Sequence, residues 1–354
     1  MQKKTGSKTP TIEEAKRLYE LTGKLKELAP WEWMDETEIF GVENPETKEI
    51  GFVSMMGMMG EHLAIGAYLG AKGLYGFWDF QDGKHETEPL ALFDIPQLQA
   101  SFEDREGLEK EDREVIKALG LKFRGRQSYP MFRSNKPGFM PWFITSEEAR
   151  FLIYAIEQTL EVTPRVKENP LILLGENGEE DEVYLVRVAE EKDGKLAWRD
   201  EMKHIAPPES KQFPVKVSPE TINQLKAFPQ NKKFVFEVDL FHSPTPVKER
   251  NSRPFFPKIL MVAETNSLFI LGVELMKPPE DILEGHAEIA RSLIKMLLNH
   301  SVLPKEIRVS SDLLFGLLKS FTQQLNVKLR QTNNLLAIKE AKEGMFGFFG
   351  NSFF

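Results

Sequence analysis

Apolar positions recur along this chain in two rhythms, one near 3.6 residues and one of two. Ala15, Leu18, Tyr19, Thr22 and Leu25 share one face of a predicted helix. Thr11 and Glu14 form a capping box at its start, and Pro30 marks its end. Residues 39–42 and 50–55 alternate as strands around the turn Asn44-Pro45-Glu46-Thr47, and 62–69 read as a third strand. A short helix is predicted near 74–80, and another over 110–119, closed by Gly120. Thr145 and Glu148 form a second capping box, opening a helix through Phe151, Leu152, Ala155 and Leu160 that is expected to stop before Pro164.

Residues 164–178 read as a connector. A hairpin follows, with strands at 182–189 and 195–201 across Lys192-Asp193-Gly194. Ser218 and Pro219 are an N-cap and a first-turn proline, with Ile222 and Leu225 turned inward. The last 120 or so residues are the most legible. They predict strands at 234–241, 258–263 and 268–274, a helix over 280–300, a strand at 306–309 and a helix over 312–325. A strand at 327–329 and a helix over 335–348 follow. The order is βββαβαβα, which predicts a mixed sheet flanked by helices.

The expected fold class is α+β in two domains. The first, mixed and mainly antiparallel, spans 1–165. Residues 166–229 form a connector holding the hairpin and a short helix, and the second domain spans 230–354, so the boundary falls near 163–180. Charge agrees with a division. Residues 1–200 hold 26 Lys and Arg against 38 Asp and Glu, whereas 201–354 hold 20 against 16. The whole chain carries a net −8, which argues against a general coat for nucleic acid. With no cysteine there is no disulfide, zinc–thiolate site or cysteine nucleophile. No apolar run approaches the roughly 18–20 residues that span a bilayer, and residues 1–11 lack the apolar core of a secretory signal. A cytoplasmic location is expected.

The second domain's element order resembles that of the ribonuclease H-like fold of nucleases, transposases and integrases. Local sequence resembles an integrase core as well. Phe236-Glu237-Val238-Asp239 resembles the first core strand, Ile270-Leu271-Gly272 the end of the next hairpin, Pro304-Lys305-Glu306-Ile307 to Asp312 the fourth strand, and Asn326-Val327-Lys328-Leu329 the fifth. The resemblance implies Asp239 and Asp312 as catalytic, magnesium-binding acids, with Glu340 or Glu343 as the third. Two magnesium ions about 4 Å apart would activate water and hold the leaving oxygen of a phosphodiester. Asp312 departs from the integrase pattern, since Leu313-Leu314-Phe315 follows it where a glycine-containing turn is usual. Each acid has a plain alternative: Asp312 as a first-turn acid behind a Ser310 or Ser311 cap, Asp239 as a strand acid paired with a nearby Lys or Arg, and Glu340 and Glu343 as a solvated helix face. In that case no metal or other cofactor is expected.

A second resemblance runs nearly end to end. Pro30-Trp31-Glu32-Trp33-Met34, Leu69-Gly70-Ala71-Lys72-Gly73-Leu74, Phe123-Arg124-Gly125-Arg126, Pro130-Met131-Phe132-Arg133 and Arg253-Pro254-Phe255-Phe256-Pro257 are similar to a bacterial family of uncharacterised two-domain proteins, a domain of unknown function. It implies a bacterial cytoplasmic setting and no activity.

One basic stretch is interleaved with aromatics. Arg124, Arg126 and Arg133 with Tyr129 and Trp142 could grip phosphates and stack bases of a single strand. Alternatively the aromatics face the core and the arginines meet the acids of residues 103–114. Met55-Met56-Gly57-Met58-Met59-Gly60 reads as a buried strand end before a glycine turn, with an adaptable peptide surface as the other option. No phosphate loop, G-x-G-x-x-G or histidine pair at i, i+4 occurs, so no nucleotide cofactor or histidine-held zinc is expected. The favoured function is a non-catalytic interaction protein with a degenerate ribonuclease H-like domain and an unknown protein or nucleic-acid partner. The alternative is a magnesium-dependent nuclease or nucleotidyl-transfer enzyme.

Overall fold

The computed structural model describes residues 8–84, 89–174, 182–208, 217–250, 252–279 and 281–349. Glu280, the acids at 179–181 and His85 lie outside the described residues. The chain divides into two units, Met1–Pro137 with Pro141–Pro208, and Gly138–Met140 with Glu209–Phe354.

In the first unit α1 (Ile12–Leu28) is held at its start by the expected box. Thr11 Oγ1 accepts from the Glu14 amide and Glu14 Oε2 from the Thr11 amide. Leu18, Tyr19, Leu21, Thr22 and Leu25 are buried, and Ala29 in the left-handed region ends the helix before Pro30. Next come β1 (Phe40–Glu43), β2 (Ile50–Met56), β3 (Ala64–Leu69), α2 (Gly70–Gln81), β4 (Gln97–Glu103), α3 (Lys110–Ala118), β5 (Tyr129–Asn135), α4 (Ser146–Glu168), β6 (Val183–Lys192) and β7 (Lys195–His204). The seven strands form one sheet in the order β5-β4-β3-β2-β1-β6-β7. Every pair is antiparallel except β1 and β6, which run parallel through Gly41↔Val186 and Val42↔Arg187.

Helices α1 and α4 cover one face, burying Val53, Ile65, Leu98 and Phe102 beneath them, while α2 closes the other over Phe52 and Tyr68. Close approach of α4 depends on Gly51, where a Cβ would stand 2.7 Å from Cζ of Phe151. The two capping boxes also meet. Ser146 Oγ donates to the Glu14 carboxylate and Arg150 Nη1 reaches it at 3.1 Å.

Two expectations are corrected here. The first is the end of α4, which passes through Pro164 to Glu168. A proline inside a helix costs about 3 kcal/mol in lost hydrogen bonding and crowding. Val162 and Val166 are buried on either side of it, so packing continues the helix where local chemistry would stop it. The second is the connector over 166–229, which does not stand apart. Its hairpin, β6 and β7, completes the first sheet through the parallel β1 pairing, and its short helix belongs to the second core. The division between units therefore falls after Pro208 rather than near 163–180.

The second unit begins with that helix, α5 (Pro219–Lys226), capped by Ser218 with Ile222 and Leu225 buried. Then follow β8 (Gln230–His242), β9 (Lys258–Glu264), β10 (Ile270–Met276), α6 (Ile282–His300), β11 (Leu303–Val309), α7 (Asp312–Gln324), β12 (Lys328–Gln331) and α8 (Leu336–Phe349). The sheet order is β10-β9-β8-β11-β12. Strand β8 is central, pairing antiparallel with β9 (Phe236↔Glu264 to Phe241↔Ile259) and parallel with β11 (Ile307↔Phe236). Alternation along β8 splits it between two layers. Phe236 and Val238 enter the core under α6 and α7, whereas Phe241 joins Ile259, Met261 and Ala263 beneath Leu335, Ala337 and Ile338 at the start of α8. Both units are mixed α+β, as the pattern predicts.

Candidate functional site

The face of β8 turned to α8 carries a stripe at strand period: Glu237, Asp239, Phe241. Each member meets α8. Glu237 is fully buried, and its Oε2 accepts from the amides of Ala337 at 2.7 Å and Ile338 at 3.1 Å. A carboxylate there satisfies orphan donors of the helix N-terminus and complements its dipole. Thr265 Oγ1 donates to the other oxygen at 3.1 Å. Asp239 is buried as well, and both of its oxygens are engaged. Oδ2 pairs with Nζ of Lys342 at 2.7 Å, and Oδ1 accepts from Ser310 Oγ at 2.7 Å. The same ammonium lies 4.3 Å from the Phe241 ring centroid.

The other acids take different positions. Ser311 caps α7, accepting from the Leu314 amide, and Asp312 is an exposed first-turn residue whose Oδ1 accepts from Gln331 Nε2 at 2.7 Å. Glu340 is exposed, and Glu343 is exposed within an i, i+4 pair with Lys339 at 3.8 Å. Among the described residues no three His, Asp or Glu side chains gather as a set that could hold a metal ion.

Helical phase explains which side chain of α8 reaches the stripe. Leu335, Ile338 and Ala341 lie on the packed face, and Lys342 follows Ile338 by four. Glu340 and Glu343 fall on the opposite side. That phase was readable from the apolar spacing, and it would have directed attention to Lys342, which the sequence reading missed along with Glu237 and Ser310.

In the basic–aromatic stretch the structure separates the named residues. Arg133 is buried. Its Nη1 and Nη2 donate to Asp112 Oδ1 and Oδ2 at 2.9 and 2.5 Å, and its Nη1 also donates to the Phe132 carbonyl. Phe143 lies under the guanidinium at 4.8 Å. Asp112 in turn accepts from the Glu109 amide at the start of α3. Arg133 is thus a structural residue, paired with the 103–114 acids, and is corrected as a nucleic-acid contact. Tyr129 is half-buried, its hydroxyl donating to the Phe123 carbonyl and its ring packed edge-on to Phe123. Trp142 is half-buried, bridged by its backbone to Ser134 and packed against Phe143. Neither ring is a bare stacking platform.

Arg124 and Arg126 differ. Both are exposed, and among the described residues neither guanidinium forms an ion pair. Their loop is anchored. Gln127, at φ 48°, donates its amide to Asp104 and its Nε2 to the Gly60 and Glu61 carbonyls, and Lys26 Nζ donates to the Gln127 carbonyl. Met55 is buried as the sequence suggests, while Met58 and Met59 are exposed beside that anchor.

A separate open cavity of about 690 Å³ lies at the start of β8 and β12, lined by Gln230, Lys232, Lys305, Gln323, Asn326, Val327 and Lys328. None of the four acids lines it. Nearby Glu306 is buried, and burial pushes its carboxyl up. Hydrogen bonds and charge from Arg308 and Lys328 outweigh that and hold it below its ordinary value.

Comparison with family models places these residues. Two family models, each of a domain of unknown function, match parts of the chain. Residues 16–187 match the model of one, DUF7309, and residues 221–346 match that of the other, DUF6930. The DUF6930 match takes in most of α5 and contains Glu237, Asp239, Ser310 and Lys342, and the DUF7309 match contains Arg124, Arg126 and Arg133. A search of curated proteins found no match. Among the described residues no helix is long and apolar enough to cross a membrane.

Proposed function

We propose that this chain is a non-catalytic, cytoplasmic interaction protein whose DUF6930 part is a ribonuclease H-like domain in which an internal ion pair stands where the family holds metal. The βββαβαβα order, drawn into one mixed sheet around β8, supports the fold reading. The observation that carries the functional reading is the Lys342–Asp239 pair. A two-ion site needs carboxylate oxygens free to face the metals. Both oxygens of Asp239 are already taken, by an ammonium and a hydroxyl, and Asp312 is bound to Gln331. This donor set does not fit two magnesium ions, and no hydrolytic step is derived through them. Arg124 and Arg126, exposed on an anchored loop, are the residues through which a nucleic-acid partner would be met.

A nuclease assay tests the reading. Single- and double-stranded DNA and RNA are incubated with magnesium or manganese and with wild type or Asp239→Asn. No metal-dependent cleavage is expected from either protein. Cleavage by wild type that disappears in Asp239→Asn would overturn the proposal in favour of the enzyme alternative.

A further inference from the structure

The cavity at the start of β8 and β12 stands apart from the Asp239 stripe, which contributes nothing to its lining. Strand β8 is irregular where it enters the sheet. Its register with β11 moves from Asn231↔Pro304 to Val235↔Glu306, so β8 advances four residues while β11 advances two. The surplus turns Lys232 and Lys233 out to solvent, as a bulge re-aims side chains. Exposed Lys305 of β11 lines the cavity with Lys232. Helix α7 ends in a turn through Asn326, at φ 54°, which delivers Lys328 of β12 to the same place. Gln230 Nε2 braces that turn, donating to the Pro304 and Asn326 carbonyls at 3.3 Å.

The cationic groups are not spent on one another's neighbours. Among the described residues Lys232 and Lys305 form no ion pair, and the side-chain amides of Gln323 and Asn326 form no hydrogen bond. Lys328 shares buried Glu306 with Arg308, so two cations meet one carboxylate. The last carbonyls of α7, which would repel an anion, are occupied: Phe321, Thr322 and Gln323 accept from the amides of Leu325, Val327 and Asn326.

We propose that this cavity binds a small oligophosphate, a short chain of linked phosphate groups, free or carried by a nucleoside. Its volume of about 690 Å³ lies within the roughly 300–1,000 Å³ that encloses small ligands. Such sites are mostly apolar. Here, among the described residues, the lining has one apolar member, Val327, and no aromatic ring, arginine or acid. That leaves no platform for a base and selects a hydrophilic, anionic occupant. Lysine is a compact point charge suited to phosphate, whereas carboxylates are best gripped by the arginine fork. The excess of Lys and Arg over Asp and Glu in 201–354, 20 against 16, favours the same sign of ligand.

Isothermal titration calorimetry of the full chain with tripolyphosphate, orthophosphate and ATP, at low salt without divalent metal, tests this. Tripolyphosphate should bind at one site, and orthophosphate at least about tenfold more weakly, since fewer charge-assisted bonds form. ATP should match tripolyphosphate within about tenfold, because no ring is present to stack the base; ATP weaker than that assigns the site to a free chain. Lys232→Gln with Lys305→Gln should weaken tripolyphosphate at least about tenfold and leave the melting temperature unchanged, since both side chains are exposed. Arg124→Ala with Arg126→Ala should bind as wild type does. Amide hydrogen exchange needs no variant: saturating tripolyphosphate should slow exchange at residues 325–328 and leave β10 alone. Wild type that binds no tripolyphosphate at about 1 mM overturns the proposal. So does a lysine variant that keeps its affinity but melts earlier, which would make these lysines partners of the α7 dipole alone. Equal loss in the arginine variant, unaltered exchange at 325–328, or ATP more than about tenfold tighter also overturns it. A single-stranded oligonucleotide that displaces tripolyphosphate would give the cavity to a nucleic-acid backbone instead.

Discussion

Replacing Lys342 by Met removes the ammonium that balances Asp239 while keeping an apolar stem over Phe241. In the wild-type pair the Asp239 side chain is 7% exposed and that of Lys342 is 23% exposed. Removing one partner of a buried ion pair costs about 3–5 kcal/mol, because the remaining charge is left desolvated. Water reaches part of the Lys342 head, and Ser310 still donates to Oδ1, so the lower end applies, about 3 kcal/mol. Asp239→Asn costs less, about 1–2 kcal/mol, because Lys342 can turn to solvent as its long stem allows. Combining the two should cost about 3 kcal/mol rather than the additive sum of about 4–5, a coupling of about 1–2 kcal/mol. Urea denaturation followed by circular dichroism at pH 7 measures all three variants, with an unchanged slope confirming that only stability has moved. The same experiment with millimolar magnesium separates the functional readings. An ion at 100 times its dissociation constant would add about 2.7 kcal/mol, and no such gain is expected. A loss below about 0.5 kcal/mol in Lys342→Met, or magnesium stabilising the wild type, would refute the reasoning.

Arg133→Ala should cost about 3–5 kcal/mol in urea denaturation, since it leaves Asp112 buried and unpaired, and should leave oligonucleotide binding unchanged. Arg124→Ala with Arg126→Ala should do the reverse, keeping stability and flattening the salt dependence of single-strand binding by roughly one to one and a half units, at about 0.7 per phosphate contact; a wild type that binds no oligonucleotide at low salt refutes this. Glu306 sets an acid dependence. Its carboxyl is held below the ordinary 4.5 in the folded chain, so its stabilisation is complete above that value and is lost as pH falls through the lower folded one. Glu306→Gln should therefore lower stability at neutral pH and show a shallower decline in acid, measured by melting curves from about pH 7 to 3.

Local chemistry settled the elements of the second unit almost residue by residue. Strand alternation in 234–241 and the i, i+3, i+4, i+7 series of α7 are properties of a short window, and so are the Thr11, Thr145 and Ser218 caps. The same windows contained the phase of α8, and hence the position of Lys342. What they did not contain was pairing. β4, a strand that the pattern left unassigned, is fixed by its neighbours β3 and β5. The hairpin β6–β7 read as a connector because nothing within it tells that Val186 will lie beside Gly41, some 145 residues away. Helix α4 passes its proline because buried Val162 and Val166 hold the following turn to the sheet. Burial likewise decided the chemistry. Asp239, Arg133 and Arg124 are all plain charged residues in the sequence. Only the tertiary structure takes the first two out of water, where a charge must find its partner, and leaves the third in it.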